Sequence, residues 1–102
     1  MSQGSVTQRA DGELVLAGVL DYSTGPALRD QGGCLIAASK ANALRLDCSA
    51  VERSSSVGLS LLLSFTRDAH KAGKALQIVG MPKDMQEIAG VGGLLEILPL
   101  QH

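Results

Sequence analysis

The sequence predicts a two-layer α/β domain: a mixed sheet of four to five strands with helices packed mainly on one side. Three observations point there. Two apolar runs flank Asp11-Gly12, which reads as a hairpin. Val57–Ala72 repeats apolar residues at helical spacing and stops at Gly73. Between and after these, strand-like and helix-like segments alternate in the order β-β-α-β-α-β-α. After an antiparallel start, that order calls for right-handed parallel crossovers, which leave the helices on one face of the sheet.

The hairpin comprises Ser5–Ala10 and Glu13–Leu20. Asp-Gly suits the positive φ angles of a two-residue type I′ turn. In the second run Leu14, Leu16 and Gly18 take one face and Val15, Ala17 and Val19 the other; both faces are apolar, as expected of an interior strand. Asp21-Tyr22-Ser23-Thr24 supplies turn and capping chemistry, and Pro26 suits a first helical turn. The helix is expected from Gly25 to Ser39, with Leu28, Leu35 and Ile36 as its inward stripe. Gly32 and Gly33 inside it each cost about 1 kcal/mol relative to Ala, so they mark either close packing on the sheet or a weak helix.

Ala43–Cys48 reads as a strand with Leu44, Leu46 and Cys48 inward, followed by a polar stretch, Ser49–Ser56, leading into the long helix. At about 100° per residue, Gly58, Leu61, Leu62, Phe65, Ala69 and Ala72 form the core face of that helix. Lys74–Val79 is a strand centred on Leu76 and Ile78. Pro82 opens a third helix reaching Ala89, which Gly90, Gly92 and Gly93 break, and Leu94–Leu98 forms a final turn or edge strand.

The chain has 102 residues, so one domain over 1–102 is expected, with its core at about 5–98. Tyr22 and Phe65 are the only aromatics, so aliphatic side chains must fill the core. Charges are dispersed and nearly balanced, at 9 basic and 10 acidic residues, with no basic cluster or aromatic platform, which argues against nucleic acid as a partner. No apolar run comes near the ~20 residues a spanning helix needs, so no direct membrane insertion is expected. Residues 1–8 carry no signal-peptide pattern, and the expected location is cytoplasmic. Cys34 and Cys48, with no CxxC, read as reduced, semi-buried packing residues.

Catalytic patterns are missing. His70 falls on the polar side of its helix, His102 is the last residue, and neither has a partner at metal-ligand spacing. Gly90–Gly93 is followed by no Gly-Lys-Ser/Thr. The serines at 54, 55 and 56 lack a placed base and a G-x-S-x-G context.

Ser55-Ser56-Val57-Gly58-Leu59-Ser60-Leu61-Leu62-Leu63 resembles the signature of STAS domains: Asp, Ser or Thr, a small residue, Gly-Leu, then an apolar helix. Gly18-Val19-Leu20-Asp21 resembles the family's Gly-x-Leu-Asp, and Leu46-Asp47-Cys48 its third strand. The resemblance covers Val6 to about Leu98 and implies a STAS-like fold. The family includes anti-sigma-factor antagonists, sulfate-transporter tails and the MlaB subunit of the lipid-transporting Mla ABC complex. Ser56 takes the position that is phosphorylated in the antagonists. The family's acidic residue is Ser55 here, and its small residue is Val57. Short stand-alone length and the Leu98-Pro99-Leu100 ending resemble the MlaB branch.

That branch implies a non-catalytic subunit, with no cofactor and no metal. It would bind and activate an MlaF-like ATPase subunit, in complex with its permease, in a phospholipid transporter that maintains outer-membrane lipid asymmetry. It would sit peripheral to the inner membrane through that partner. The alternative is an anti-sigma-factor antagonist controlled by serine phosphorylation. Independently of the resemblance, Ser56, Ser60, Leu63 and Arg67 follow one another at helical spacing on the side opposite the core, bordered by Leu59 and His70. Ser55, Ser56, Leu59, Ser60, Leu63 and Arg67 are therefore the expected partner contacts, and Ser55 or Ser56 the expected helix cap.

Overall fold

The computed structural model describes residues 3–91 and 93. Its elements are β1 (Ser5–Ala10), β2 (Glu13–Leu20), α1 (Gly25–Ala38), β3 (Ala43–Ser54), α2 (Ser56–Lys71), β4 (Ala75–Val79) and α3 (Lys83–Val91). The strands form one mixed sheet in the order β1-β2-β3-β4. β1 and β2 pair antiparallel, while β3 runs parallel to both β2 and β4. The expected final segment, Leu94–Leu98, and the Leu98-Pro99-Leu100 ending lie outside the described residues, so the described sheet has four strands.

Alternation decides which face the helices cover. Leu14, Leu16 and Leu20 of β2, Leu44, Leu46 and Cys48 of β3, and Leu76 and Ile78 of β4 are buried in one cluster with Leu28 and Ile36 of α1, Leu61, Leu62, Phe65 and Ala69 of α2, and Met85 and Ala89 of α3. Val15, Ala17 and Val19, which point the other way, are only half-buried. Interior placement of β2 is thus met by strand pairing on both edges, with helices over one face only.

Several local expectations change. Among the described residues none but glycine has positive φ, so Asp11 does not adopt the type I′ geometry; of the two turn residues Gly12 alone is left-handed, at φ 85°. A register shift between Gln8 and Ala10 supplies the extra local twist that lets this turn join the strands. β3 does not stop at Cys48 but continues to Ser54 alongside β2. Two register shifts, one between Val15/Ala17 and one between Gly18/Val19 of β2, lengthen β3 against its neighbour. The first moves the inward position from even to odd residues, so Val51 is buried after Cys48. The polar composition of 49–56 hid a strand whose alternation is interrupted by bulges.

α2 ends at Lys71, and Ala72, expected in the core, is its exposed C-cap. α3 passes through Gly90 to Val91 rather than breaking there. Leu35 is half-buried, beside the fully buried Leu28 and Ile36. Cys34 is exposed, not semi-buried: it lies two residues, about 200° of helix, from Gly32, which faces α2. Cys48 is buried, which pushes its thiol up to about 12 and keeps it protonated and inert.

Candidate functional site

The N-terminus of α2 is fixed from three sides. Ser55 is its N-cap: its Oγ accepts from the Val57 N–H at 3.2 Å. The Ser55 N–H donates to the Leu20 carbonyl at 3.3 Å, and its hydroxyl donates to the same oxygen at 3.5 Å, which ties the helix start to the end of β2. Ser54 Oγ donates to the Ser55 carbonyl at 2.8 Å. Of the two candidate caps, Ser55 therefore takes the role, and Ser56 is left exposed as the first helical residue.

Along the outward side, Ser60 is exposed, and its hydroxyl donates back to the Ser56 carbonyl at 3.3 Å. Arg67, His70 and Lys71 are exposed too. Among the described residues Arg67 makes no ion pair. Leu63 is half-buried and packs against the core cluster, so it is not a freely projecting anchor. Leu59 is a clear correction: it is 4% exposed and belongs to the core. Val57 faces α1 at Gly25, and Leu59 lies about 200° further round, on the flank remote from α1. α2 packs against α1, against β3 and β4, and against α3, so its buried arc is wider than a single core face. The exposed remainder is a narrow strip of Ser56, Ser60, Arg67, His70 and Lys71.

Beside that strip stands the β2–α1 loop. Asp21 Oδ1 accepts from the Ser23 N–H at 2.9 Å, from Ser23 Oγ at 2.6 Å and from the Thr24 N–H at 3.3 Å. These bonds, the Ser23 hydroxyl first, hold the carboxyl below its ordinary value. At the start of α1 the Thr24 N–H is thus met by Asp21 Oδ1 and the Gly25 N–H by the Asp21 carbonyl at 2.9 Å, while the N-cap Thr24 makes no side-chain cap bond. Tyr22 projects from this loop, 81% exposed, over a groove of about 390 Å³ that Val57 and Ser60 also line. Sequence reasoning passed over Tyr22. Its signal was that one of only two aromatics stands in a polar turn, where no core is within reach.

The α2 serines and His70 are not brought together. The Ser55 hydroxyl is engaged with backbone, and His70 lies fourteen residues along the helix from Ser56, about 21 Å of rise. Among the described residues no group of three or more His, Cys, Asp or Glu side chains stands together to hold a metal ion. No helix of these residues is long and apolar enough to cross a membrane.

A family model described as Mlab, STAS domain, matches residues 5–99. No curated protein matches the chain. Among solved structures, an anti-sigma factor antagonist from Mycobacterium paratuberculosis is similar at 30% identity and TM-score 0.74, over 96% of this chain and 83% of that one. The Bacillus cell fate determinant SpoIIAA in its phosphorylated form matches at 15% identity and TM-score 0.67, over 97% of this chain and 89% of that one. An anti-sigma-factor antagonist (STAS) domain protein from Planctomyces limnophilus matches at 14% identity and TM-score 0.71, over 99% and 90%. The last two are likenesses of fold.

Proposed function

The chain belongs to the STAS-domain family, and we propose that it acts there as an MlaB-type subunit, binding the cytoplasmic MlaF-like ATPase of a phospholipid-transporting ABC complex and raising its activity. The observation that carries this reading is the start of α2. It exposes two small hydroxyl side chains, Ser56 and Ser60, while the helix buries Leu59, Leu61 and Leu62. A partner surface can approach such a strip to backbone distance without displacing core side chains. The Mlab description of the matching family model, over nearly the whole chain, supports the choice of branch.

The mechanism is allosteric and involves no chemistry by this chain. It stabilises whichever arrangement of the ATPase it binds more tightly, and the gain in turnover is limited by that difference in affinity. The protein sits at the inner membrane only through its partner.

The test is ATP turnover by the purified ATPase–permease complex with and without the chain. Turnover rises on addition of wild type and much less with Ser56→Glu, which places a charge in the contact. Unchanged turnover despite demonstrated complex formation rules out activation.

A second reading, an anti-sigma-factor antagonist, is favoured by the 30% identity to the mycobacterial antagonist and by the exposure of Ser56 at a helix N-terminus, where a phosphate is well accommodated. Against it, the acidic residue of the family pattern is Ser55, whose hydroxyl is occupied in capping. Phosphate on Ser56 after incubation with a small anti-sigma kinase and ATP would favour this second reading.

A further inference from the structure

We infer that the partner-binding face extends off α2 onto the β2–α1 loop, with Tyr22 as its aromatic anchor, and that it fits a partner helix presenting an aliphatic side chain and, about two turns away, a carboxylate. The inference rests on the binding reading above and specifies what that partner must look like.

Four observations carry it. Tyr22 is the one exposed aromatic of a chain that has only two. It is also held on a rigid backbone. Asp21 Oδ1 gathers the Ser23 and Thr24 N–H groups, and the Asp21 carbonyl accepts from the Gly25 N–H at 2.9 Å. Little backbone entropy remains to be lost when the ring is covered, and a tyrosine has few rotamers to freeze.

Behind the ring runs the groove of about 390 Å³, lined by Tyr22, Gly25, Pro26, Val57, Ser60 and Leu61. Gly25 allows the helices to approach there, since a Cβ at that position would stand 2.8 Å from Val57 Cγ1. Carbon surfaces of Val57, Leu61 and Pro26 with a tyrosine rim suit an aliphatic side chain. Arg29 and Asp30, of opposite charge, line it as well.

Ser60 belongs to both the groove and the outward strip of α2, so the two surfaces are continuous. Beyond Ser60 the strip turns basic. Arg67, His70 and Lys71 are exposed; Lys71 lines the pocket on the α1 side together with Asp30 and the half-buried Asp68, whereas Arg67 does not line it. Charge complementarity thus calls for an acidic residue opposite Arg67. Ser60 and Arg67 are seven residues apart, about 10 Å of helix rise, which sets the spacing required of the partner.

The experiment measures affinity of the intact chain for the ATPase subunit of the transporter, with melting temperatures for every variant. Tyr22→Ala weakens binding by about thirty-fold or more, the scale of an interface hot spot, with an unchanged melt. Tyr22→Phe, which keeps the ring, restores affinity to near wild type. Arg67→Glu weakens binding by about tenfold, and the variant's affinity no longer falls as salt is raised. Wild-type affinity in Tyr22→Ala overturns the anchor and leaves the activation reading standing. An Arg67→Glu variant that binds as wild type overturns the acidic complement. A wild-type chain that binds no ATPase subunit overturns both readings together.

Discussion

The ring of Phe65 on α2 lies against the bare backbone of Gly32 on α1, so close that a Cβ at position 32 would overlap Cε1 and Cζ of the ring. Both residues are buried. The glycine that weakens α1 as an isolated helix is what lets the largest core side chain sit between the two helices. It serves the helix–helix contact rather than packing on the sheet.

Gly32→Ala therefore lowers stability. Alanine gains about 1 kcal/mol of helix propensity, but overpacking a filled core costs about 1–3 kcal/mol. In urea unfolding the variant's midpoint falls, and the double variant Gly32→Ala/Phe65→Leu recovers part of the loss. A midpoint at or above wild type would mean that the ring shifts aside freely.

Leu59 and Leu63 differ in how far the fold encloses them, and their substitutions differ accordingly. Leu59→Ala costs about 2–5 kcal/mol, as for any enclosed leucine, and Leu62→Asp unfolds the domain. Leu63→Asp, at a half-buried site, melts between wild type and Leu62→Asp. Circular dichroism melts of the three variants order them, and a Leu59→Ala melt equal to wild type would return Leu59 to the surface.

Ser55 and Ser56 separate capping from contact. Ser55→Ala loses the bond to the Val57 N–H and costs about 1 kcal/mol. Ser56→Ala stays within about 0.5 kcal/mol of wild type, as exposed substitutions do. Thermal melts of the two variants check this. Equal losses would show that both hydroxyls hold the helix.

Asp47 links stability to pH. Hydrogen bonds from Ser49, side chain first and then its N–H at 2.9 Å, together with Arg9 at 2.9 Å, hold the Asp47 carboxyl below its ordinary value. With the folded value below the unfolded one, the stabilisation is complete above the unfolded pKa, about 3.9, and is lost as pH falls through the folded value. Arg9 is more than half exposed, so solvent screens the ion pair and the effect is modest. Asp47→Asn makes the acid limb of the stability curve shallower below about pH 4 without abolishing it, because Asp21 is also held low. Denaturant titrations across that range measure the slope, and an identical limb in the variant would remove Asp47 from the linkage.

What the sequence determined by itself was carried by local periodicity. Alternation in Leu14-Val15-Leu16 and Leu44-Arg45-Leu46 set which side of each strand faces inward. The spacing of Gly58, Leu61, Leu62, Phe65 and Ala69 set the phase of α2, and Gly73, at φ 73°, ended it. These signals survive because each depends only on neighbours in the chain. The tertiary structure decided whatever depends on which elements come to lie beside one another. Pairing with β2 extended β3 through polar residues to Ser54. Packing of α2 against other helices widened its buried arc to take in Leu59, which a single helix with one core face would leave at the border. The close approach of α1 and α2 turned Gly32 from a helix weakness into a packing site. Tyr22 and Ser60, thirty-eight residues apart in the chain, meet on one groove only because α1 and α2 pack side by side.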